Sequence, residues 1–344
     1  MKAFVVEKFG ERLRLMDRPK PIVSRGEALV RVKACGIGLT LSWIRLGRMS
    51  GSAPRIIGHE IAGIVEEVGE GVTNVSKGDS VAVYFYLTCG KCEYCMTDRE
   101  TLCTNFKGNV GTRTDGGLAE YVKLPSDNLF KFSSNKLSHS DASIISDAIA
   151  TPLHVAKRRA GIRALDRVMV IGAGGGVGIH MVQMAKLFGA DVFAVDISEE
   201  KLKLASTYGA THTILANDPK FVEKVKGLTD GKGVHTVIDF VSRPSTISNG
   251  FSCLSPNGKI VLLGHFHPED PLHIDDPQDV IRKEISIMGS RYATKQEFRE
   301  AIEIVENGLV KPVVTARYKF EDTDTALRDV EDGKIFGRAV VEIP

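Results

Sequence analysis

Cys89, Cys92, Cys95 and Cys103 follow the spacing C-x2-C-x2-C-x7-C. Four thiolates this close in the chain can surround a tetrahedral Zn²⁺ with no position left open, which makes such an ion structural rather than catalytic. Short loops bring the sulfurs together at little entropic cost, and Gly90 suits the tight turn between the first two. Disulfides across such spacings would be strained. The remaining cysteines, Cys35 and Cys253, stand alone in apolar surroundings and read as inert buried thiols.

A second constellation is built for phosphate. Val168 to Ile171 runs into Gly172-Ala173-Gly174-Gly175-Gly176-Val177-Gly178 and then into a helical pattern. Gly172, Gly175 and Gly178 fit a G-x-x-G-x-x-G register, with Gly176 and Val177 at the mouth of the helix. Strand, glycine turn and helix N-terminus together let backbone approach a pyrophosphate, so the loop predicts dinucleotide binding. Asp196 closes the next strand, where a carboxylate accepts the adenosine ribose hydroxyls and repels a 2′-phosphate, favouring NAD over NADP. The plainer alternative is that Asp196 caps a helix starting near Glu199. Lys201 lies five residues on, either beside the ribose or as a solvated helix charge.

The elements that would position these groups change character along the chain. Up to residue 149, short β-branched runs broken by glycine, such as Ala28 to Val32, Ile61 to Val68, Ser80 to Tyr84 and Leu118 to Lys123, predict a mostly antiparallel β domain. Residues 150–288 alternate apolar strands with helices. Strands are expected at Arg167 to Ile171, Val192 to Asp196, Thr211 to Leu215, Val234 to Phe240, Lys259 to Gly264 and Ile285 to Gly289. The first helix, Gly176 to Phe188, carries Val177, Met181, Met184, Ala185 and Phe188 on one face. This pattern predicts a doubly wound parallel sheet. Residues 289–344 form a C-terminal segment, whose tail from Phe298 to Pro344 reads as one helix with further strand-like pieces.

At 344 residues the chain suits two domains, and 43% hydrophobic with 26% charged residues is ordinary for a globular protein. The 45 basic and 43 acidic side chains form no block that would track a nucleic-acid backbone. No apolar run reaches the roughly 20 residues that span a bilayer, and Glu7 and Lys8 interrupt any signal-peptide core. The expected location is cytoplasmic.

Further motifs carry a resemblance. Gly58-His59-Glu60, Lys77-Gly78-Asp79, Gly116-Gly117-x-Ala119-Glu120-Tyr121, the cysteine lobe, the glycine loop and Gly333-Lys334-Ile335-Phe336-Gly337-Arg338 resemble the zinc-containing alcohol dehydrogenases of the medium-chain dehydrogenase/reductase superfamily over nearly the full length. The resemblance implies a GroES-like catalytic domain, a Rossmann NAD-binding domain, a C-terminal segment returning to the first, and an active site in the cleft between them. It makes residues 89–103 the structural zinc lobe. It implies a catalytic zinc held by His59 and Asp147 with Glu60 nearby, a proton-passing Thr40, and Thr151 against the nicotinamide. Arg338 would touch the pyrophosphate, and the strand end at Gly264, followed by His265 and His267, would lie near the nicotinamide. A small-molecule substrate and a homodimer or homotetramer go with it.

One family position is changed. Ala34-Cys35-Gly36-Ile37-Gly38-Leu39-Thr40 corresponds to Ala-Cys-Gly-x-Cys-x-Thr, so Gly38 replaces the first zinc-binding cysteine; Leu41 replaces an acid, and Trp43 a proton-relay histidine. Three readings stand open: a metal on His59, Glu60 and Asp147, with Gly38→Cys raising its occupancy; Cys35 as substitute ligand; or no catalytic metal. Zinc lowers the pKa of bound water from about 15.7 to about 7, roughly 12 kcal/mol of anion stabilisation. The expected activity is alcohol–carbonyl interconversion with NAD(H). The alternatives are metal-free reduction of an enone or enoyl thioester, with Thr40, Tyr84, Tyr86 or the histidines after Gly264 as donors, and non-enzymatic NAD binding.

Overall fold

Glycine-punctuated β-branched runs become strands wherever two apolar faces can be covered at once. The run at Ala28 belongs to a longer strand than its sequence suggests, Glu27–Ile37, buried along nearly all of its length. It pairs with Glu60–Val68 on one side and with Tyr121–Pro125 and Arg338–Glu342 on the other, all antiparallel. Shielding on both sides is what extends the strand through Cys35, Gly36 and Ile37. The seven-stranded sheet runs Leu129–Lys131, Ser80–Val83, Glu60–Val68, Glu27–Ile37, Arg338–Glu342, Val314–Lys319, with Tyr121–Pro125 off that path.

The computed structural model describes residues 1–49, 51–264 and 272–344. They divide into two units, Met1–Ala150 with Ala293–Pro344, and Thr151–Tyr292. No helix among the described residues is long and apolar enough to cross a membrane. The segment after Ala293 holds two helices where one was expected, Lys295–Glu306 and Thr323–Glu331. The second is short and strongly charged, so its apolar positions, Ala326 and Leu327, are a weak periodic signal.

In the second unit six parallel strands run in the order His212–Leu215, Asp191–Asp196, Arg167–Ile171, Val234–Asp239, Leu254–Leu262, Ser286–Gly289. This is the Rossmann order, which reverses beside the first strand and opens a crevice at its carboxyl end. The first helix is Gly178–Leu187, and it departs from a one-faced pattern: every residue from Gly178 to Ala185 is buried, including His180 and Gln183. It lies between the sheet, the Glu199–Thr207 helix and the Val155–Ala160 π-helix, so solvent reaches it only at its end, Lys186 and Leu187. His265 and His267 lie outside the described residues.

The start of that helix touches the glycine loop directly. A Cβ on Gly178 would lie 2.0 Å from the Gly172 carbonyl oxygen, a backbone clash that no side-chain rotation relieves. We therefore expect Gly178→Ala to destabilise the protein by about 1–3 kcal/mol, measured by chemical denaturation. An unchanged midpoint would mean that helix and loop do not meet in this way.

Candidate active site and metal centres

The register of the large sheet places two oppositely charged side chains beside two glycines. Gly36 pairs with Glu60 on one neighbouring strand and with Val340 on the other, so Arg338, two residues before Val340, comes level with Gly38. A Cβ on Gly36 would lie 2.0 Å from Glu60 Oε2, and one on Gly38 would lie 2.4 Å from Arg338 Nη1. Gly38 has an ordinary φ of −126°, so glycine is needed there for space and not for backbone conformation. Into this space Arg338 donates a forked pair of hydrogen bonds, Nε to Glu60 Oε2 at 2.9 Å and Nη2 to Glu60 Oε1. The Ala148 N–H adds a third at 3.1 Å to Glu60 Oε1. Glu60 and Arg338 are 1% and 7% exposed. Burial pushes the Glu60 carboxyl up, and the Arg338 charge pulls it back.

His59 and Asp147 stand next to this pair. His59 Nε2 lies 3.3 Å from Asp147 Oδ2, and the Phe85 ring packs on the imidazole at 4.7 Å between centroids. His59 Nδ1 is buried without a hydrogen-bond partner. Donor atoms of His59, Glu60 and Asp147 all fall within 4.8 Å of one another. Thr40 is half-buried on the Leu39–Arg45 helix, and Trp43, half-buried on the same helix, lies under Arg48. Tyr84 is no candidate donor, because it is fully buried and its hydroxyl donates to the Ala293 carbonyl at 2.9 Å. Cys35 does not stand in for the missing ligand: its sulfur is directed at Gly58 and Gly117, and burial, then the Glu60 charge, pushes its thiol up.

Do these residues fit the catalytic zinc that the fold implies? Two ligands of a tetrahedral zinc with bonds of 2.0–2.1 Å sit about 3.3–3.4 Å apart, and His59 with Asp147 meets that separation. The third donor does not follow. Both Glu60 oxygens are held by Arg338 and Ala148, although proximity alone groups Glu60 with the other two. The charges disagree as well: Glu60 is neutralised by Arg338, which leaves Asp147 as one anion against a divalent ion beside a buried guanidinium. This set does not fit a three-ligand catalytic zinc.

The cysteine lobe fits its ion. Cys92 Sγ lies 3.5 Å from Cys95 Sγ and 3.9 Å from Cys103 Sγ, and Cys89 Sγ lies 3.9 Å from Cys95 Sγ. A tetrahedral site with Zn–S bonds of about 2.3 Å requires sulfurs about 3.8 Å apart. Cys103 is buried and the other three are half-exposed. Hydrogen bonds from the backbone at Cys95 and Thr104 hold the Cys92 thiol down at about 5, toward the thiolate a metal requires, while burial raises Cys95 to about 12. A bound zinc there would tie the loop together and carry no chemistry.

The glycine loop presents amides to an anion. The first helical bond runs from the Ile179 N–H to the Gly175 carbonyl, so the N–H groups of Gly176, Val177 and Gly178 precede the intrahelical ladder. Gly175, Gly176 and Val177 are half-buried at the mouth, whereas Gly174 is buried. Gly174 packs against Lys201, whose Cβ would be 2.3 Å from a Cβ there. Asp196 accepts from the Gly174 N–H at 2.9 Å and the Ile197 N–H at 2.8 Å. It does not cap the following helix; Ser198 does, accepting from the Lys201 N–H. Thr151 is buried on the Ala150–His154 helix, and the Gly264 N–H donates to Ser242 Oγ at 3.0 Å. The Glu60–Arg338 pair escaped sequence reasoning. Its partners are 278 residues apart, and the only local signal was a pair of glycines in Cys35-Gly36-Ile37-Gly38.

Two measurements check this geometry. Cys92→Ser should lose the lobe's zinc and lower the thermal midpoint, because three thiolates leave the site open; unchanged zinc content would remove the assignment. Arg338→Met strands a buried carboxylate and should cost about 3–5 kcal/mol of stability, whereas a pair of little structural weight would show less than about 1 kcal/mol.

Residues 24–134 match the family described as alcohol dehydrogenase GroES-like domain, and residues 176–307 the one described as zinc-binding dehydrogenase. An NAD-dependent alcohol dehydrogenase of Sulfolobus acidocaldarius is 37% identical over 100% of both chains. An alcohol dehydrogenase of Geobacillus stearothermophilus is 34% identical over 100% of this chain and 99% of its own. The solved structure of the alcohol dehydrogenase from Aeropyrum pernix superimposes with a TM-score of 0.91 at 30% identity, covering 99% of this chain and 100% of that one. With relatives matched from end to end, this chain belongs to the zinc-containing alcohol dehydrogenase family of the medium-chain dehydrogenase/reductase superfamily.

Proposed function

We propose that the protein is an NAD(H)-dependent oxidoreductase that interconverts an alcohol and a ketone or aldehyde. The observation that carries this reading is the glycine loop braced on Asp196, with the amides of Gly176 to Gly178 ahead of the helical ladder, in a chain matched end to end by NAD-dependent alcohol dehydrogenases. When bound, the dinucleotide supplies or accepts a hydride at nicotinamide C4. The chain's own residues bind and orient it. Gly172, Gly175, Gly176, Val177 and Gly178 cradle the pyrophosphate, Asp196 and Lys201 the adenosine ribose, and Thr151, Gly264 and His265 the nicotinamide end.

In this reading the proton half of the reaction belongs to the first unit. Asp147 fixes the His59 ring through Nε2, and the Thr40 hydroxyl carries the proton to or from the substrate oxygen. Arg338 serves the site through Glu60, which it holds in place; contact with the pyrophosphate would require Nη1, the one guanidinium nitrogen outside the fork. The relatives' printed activities favour alcohol–carbonyl chemistry over double-bond reduction. The same reading makes the partner a small molecule, the assembly a homodimer or homotetramer and the location cytoplasmic.

Steady-state kinetics on a panel of alcohols and ketones tests the activity, and the absence of turnover despite NADH binding would reject it. The coenzyme provides a sharper test. Wild type should prefer NADH to NADPH, and Asp196→Ser should narrow that preference by about tenfold, or about 1.4 kcal/mol, because a carboxylate repels the 2′-phosphate. NADH efficiency should fall as well, since Asp196 also holds the Gly174 N–H. A wild-type preference for NADPH would remove the role given to Asp196.

A further inference from the structure

We propose that the Arg338 guanidinium occupies the place a first metal ligand on residue 38 would need, so that the chain carries a single metal ion, in its cysteine lobe, and Arg338 is the resident cation beside His59 and Asp147. The inference rests on the geometry around Gly38, whatever the substrate proves to be.

The space comes first. Gly38 has unstrained backbone angles, yet a Cβ there would stand 2.4 Å from Nη1, 2.9 Å from Cζ and 3.2 Å from Nη2 of Arg338. Any side chain at this position must push the guanidinium out. The guanidinium cannot move freely, because its Nε and Nη2 are hydrogen-bonded to Glu60 and the whole group is buried. Glu60 in turn is fixed by the Ala148 N–H and by the gap at Gly36, where a Cβ would meet Oε2 at 2.0 Å. Gly36, Gly38, Glu60 and Arg338 therefore form one interlocked set.

Charge leads to the same conclusion. A fixed monovalent cation already compensates Glu60, and Asp147 is paired with His59. A divalent ion would find one carboxylate and one imidazole, short of the three protein ligands a catalytic zinc uses, with a guanidinium as neighbour. Restoring the thiolate alone would not rebuild a site, because Gly38→Cys places its Cβ against Nη1. Two changes are required together: Gly38→Cys to supply the ligand and Arg338→Ser to vacate the space and release Glu60.

Metal content measured by mass spectrometry after equilibration with Zn²⁺, and visible spectra after exchange with Co²⁺, test this independently of turnover. Wild type should hold one ion per chain, with a Co²⁺ spectrum of thiolate ligation only, and His59→Ala should hold the same. Gly38→Cys should remain at one. Gly38→Cys combined with Arg338→Ser should rise toward two, the second Co²⁺ showing mixed sulfur, nitrogen and oxygen ligation. Two ions per wild-type chain, an ion lost on His59→Ala, or a second ion gained by Gly38→Cys alone would overturn the proposal. So would a folded double variant that stays at one. If the double variant does not fold, the wild-type, His59→Ala and Gly38→Cys counts decide the question. Failure of alcohol turnover with one ion per chain would count against the proposed activity and leave this inference standing.

Discussion

A buried ion pair between the two strands that flank the Glu27–Ile37 strand of the seven-stranded sheet constrains much of what surrounds it. Glu60 opens one strand and Arg338 opens another, and the Glu27–Ile37 strand between them carries glycine where side chains would collide. A buried guanidinium–carboxylate pair is costly to desolvate and is tolerable only when its geometry is good and the remaining lone pairs are satisfied. The fork to Arg338 and the Ala148 N–H meet that condition. The C-terminal strand is thereby tied to the segment carrying His59, which bears on why the final fifty residues return to the first unit instead of continuing the second.

The same pair decides the electrostatics of the neighbouring centre. With Glu60 compensated, His59 and Asp147 form a separate hydrogen-bonded couple, one carboxylate on one imidazole, wedged against Phe85. That couple offers a divalent ion two ligand atoms and no third. In the lobe the balance is reversed: four sulfurs near tetrahedral spacing, with backbone donors that favour a thiolate at Cys92, suit a thiolate-binding tetrahedral ion such as zinc. Two ligand clusters of similar compactness therefore differ in what they can hold, and the difference lies in the charges already present beside each.

The Rossmann unit achieves precision by backbone contact. Gly174 and Gly178 are placed where a neighbouring Lys201 side chain or the Gly172 carbonyl leaves no room for a Cβ, and Asp196 clamps the loop by an amide before any ligand arrives. A single carboxylate thus shapes the loop and, in the proposed function, also sets the coenzyme preference, two roles that reading the strand end alone does not separate. The buried His180 Nδ1, 2.6 Å from the Gly176 carbonyl, adds a second brace to the same turn.

What could be read without coordinates was whatever depends on neighbours in the chain. The C-x2-C-x2-C-x7-C lobe, the strand–glycine–helix turn with Asp196 one strand later, and the alternation that builds the parallel sheet each place their groups within a short stretch, where spacing alone restricts geometry. The reach of the Glu27–Ile37 strand, the all-round burial of Gly178 to Ala185 and the second C-terminal helix were not legible, because they depend on what packs on the other side. Gly38 is the clearest case. From the sequence it is a missing ligand; in the folded chain it is the space that Arg338 fills. No local pattern joins residues 38, 60 and 338, and only the register of three strands brings them together, since a strand sets which residues share a face but not which strand will lie beside it.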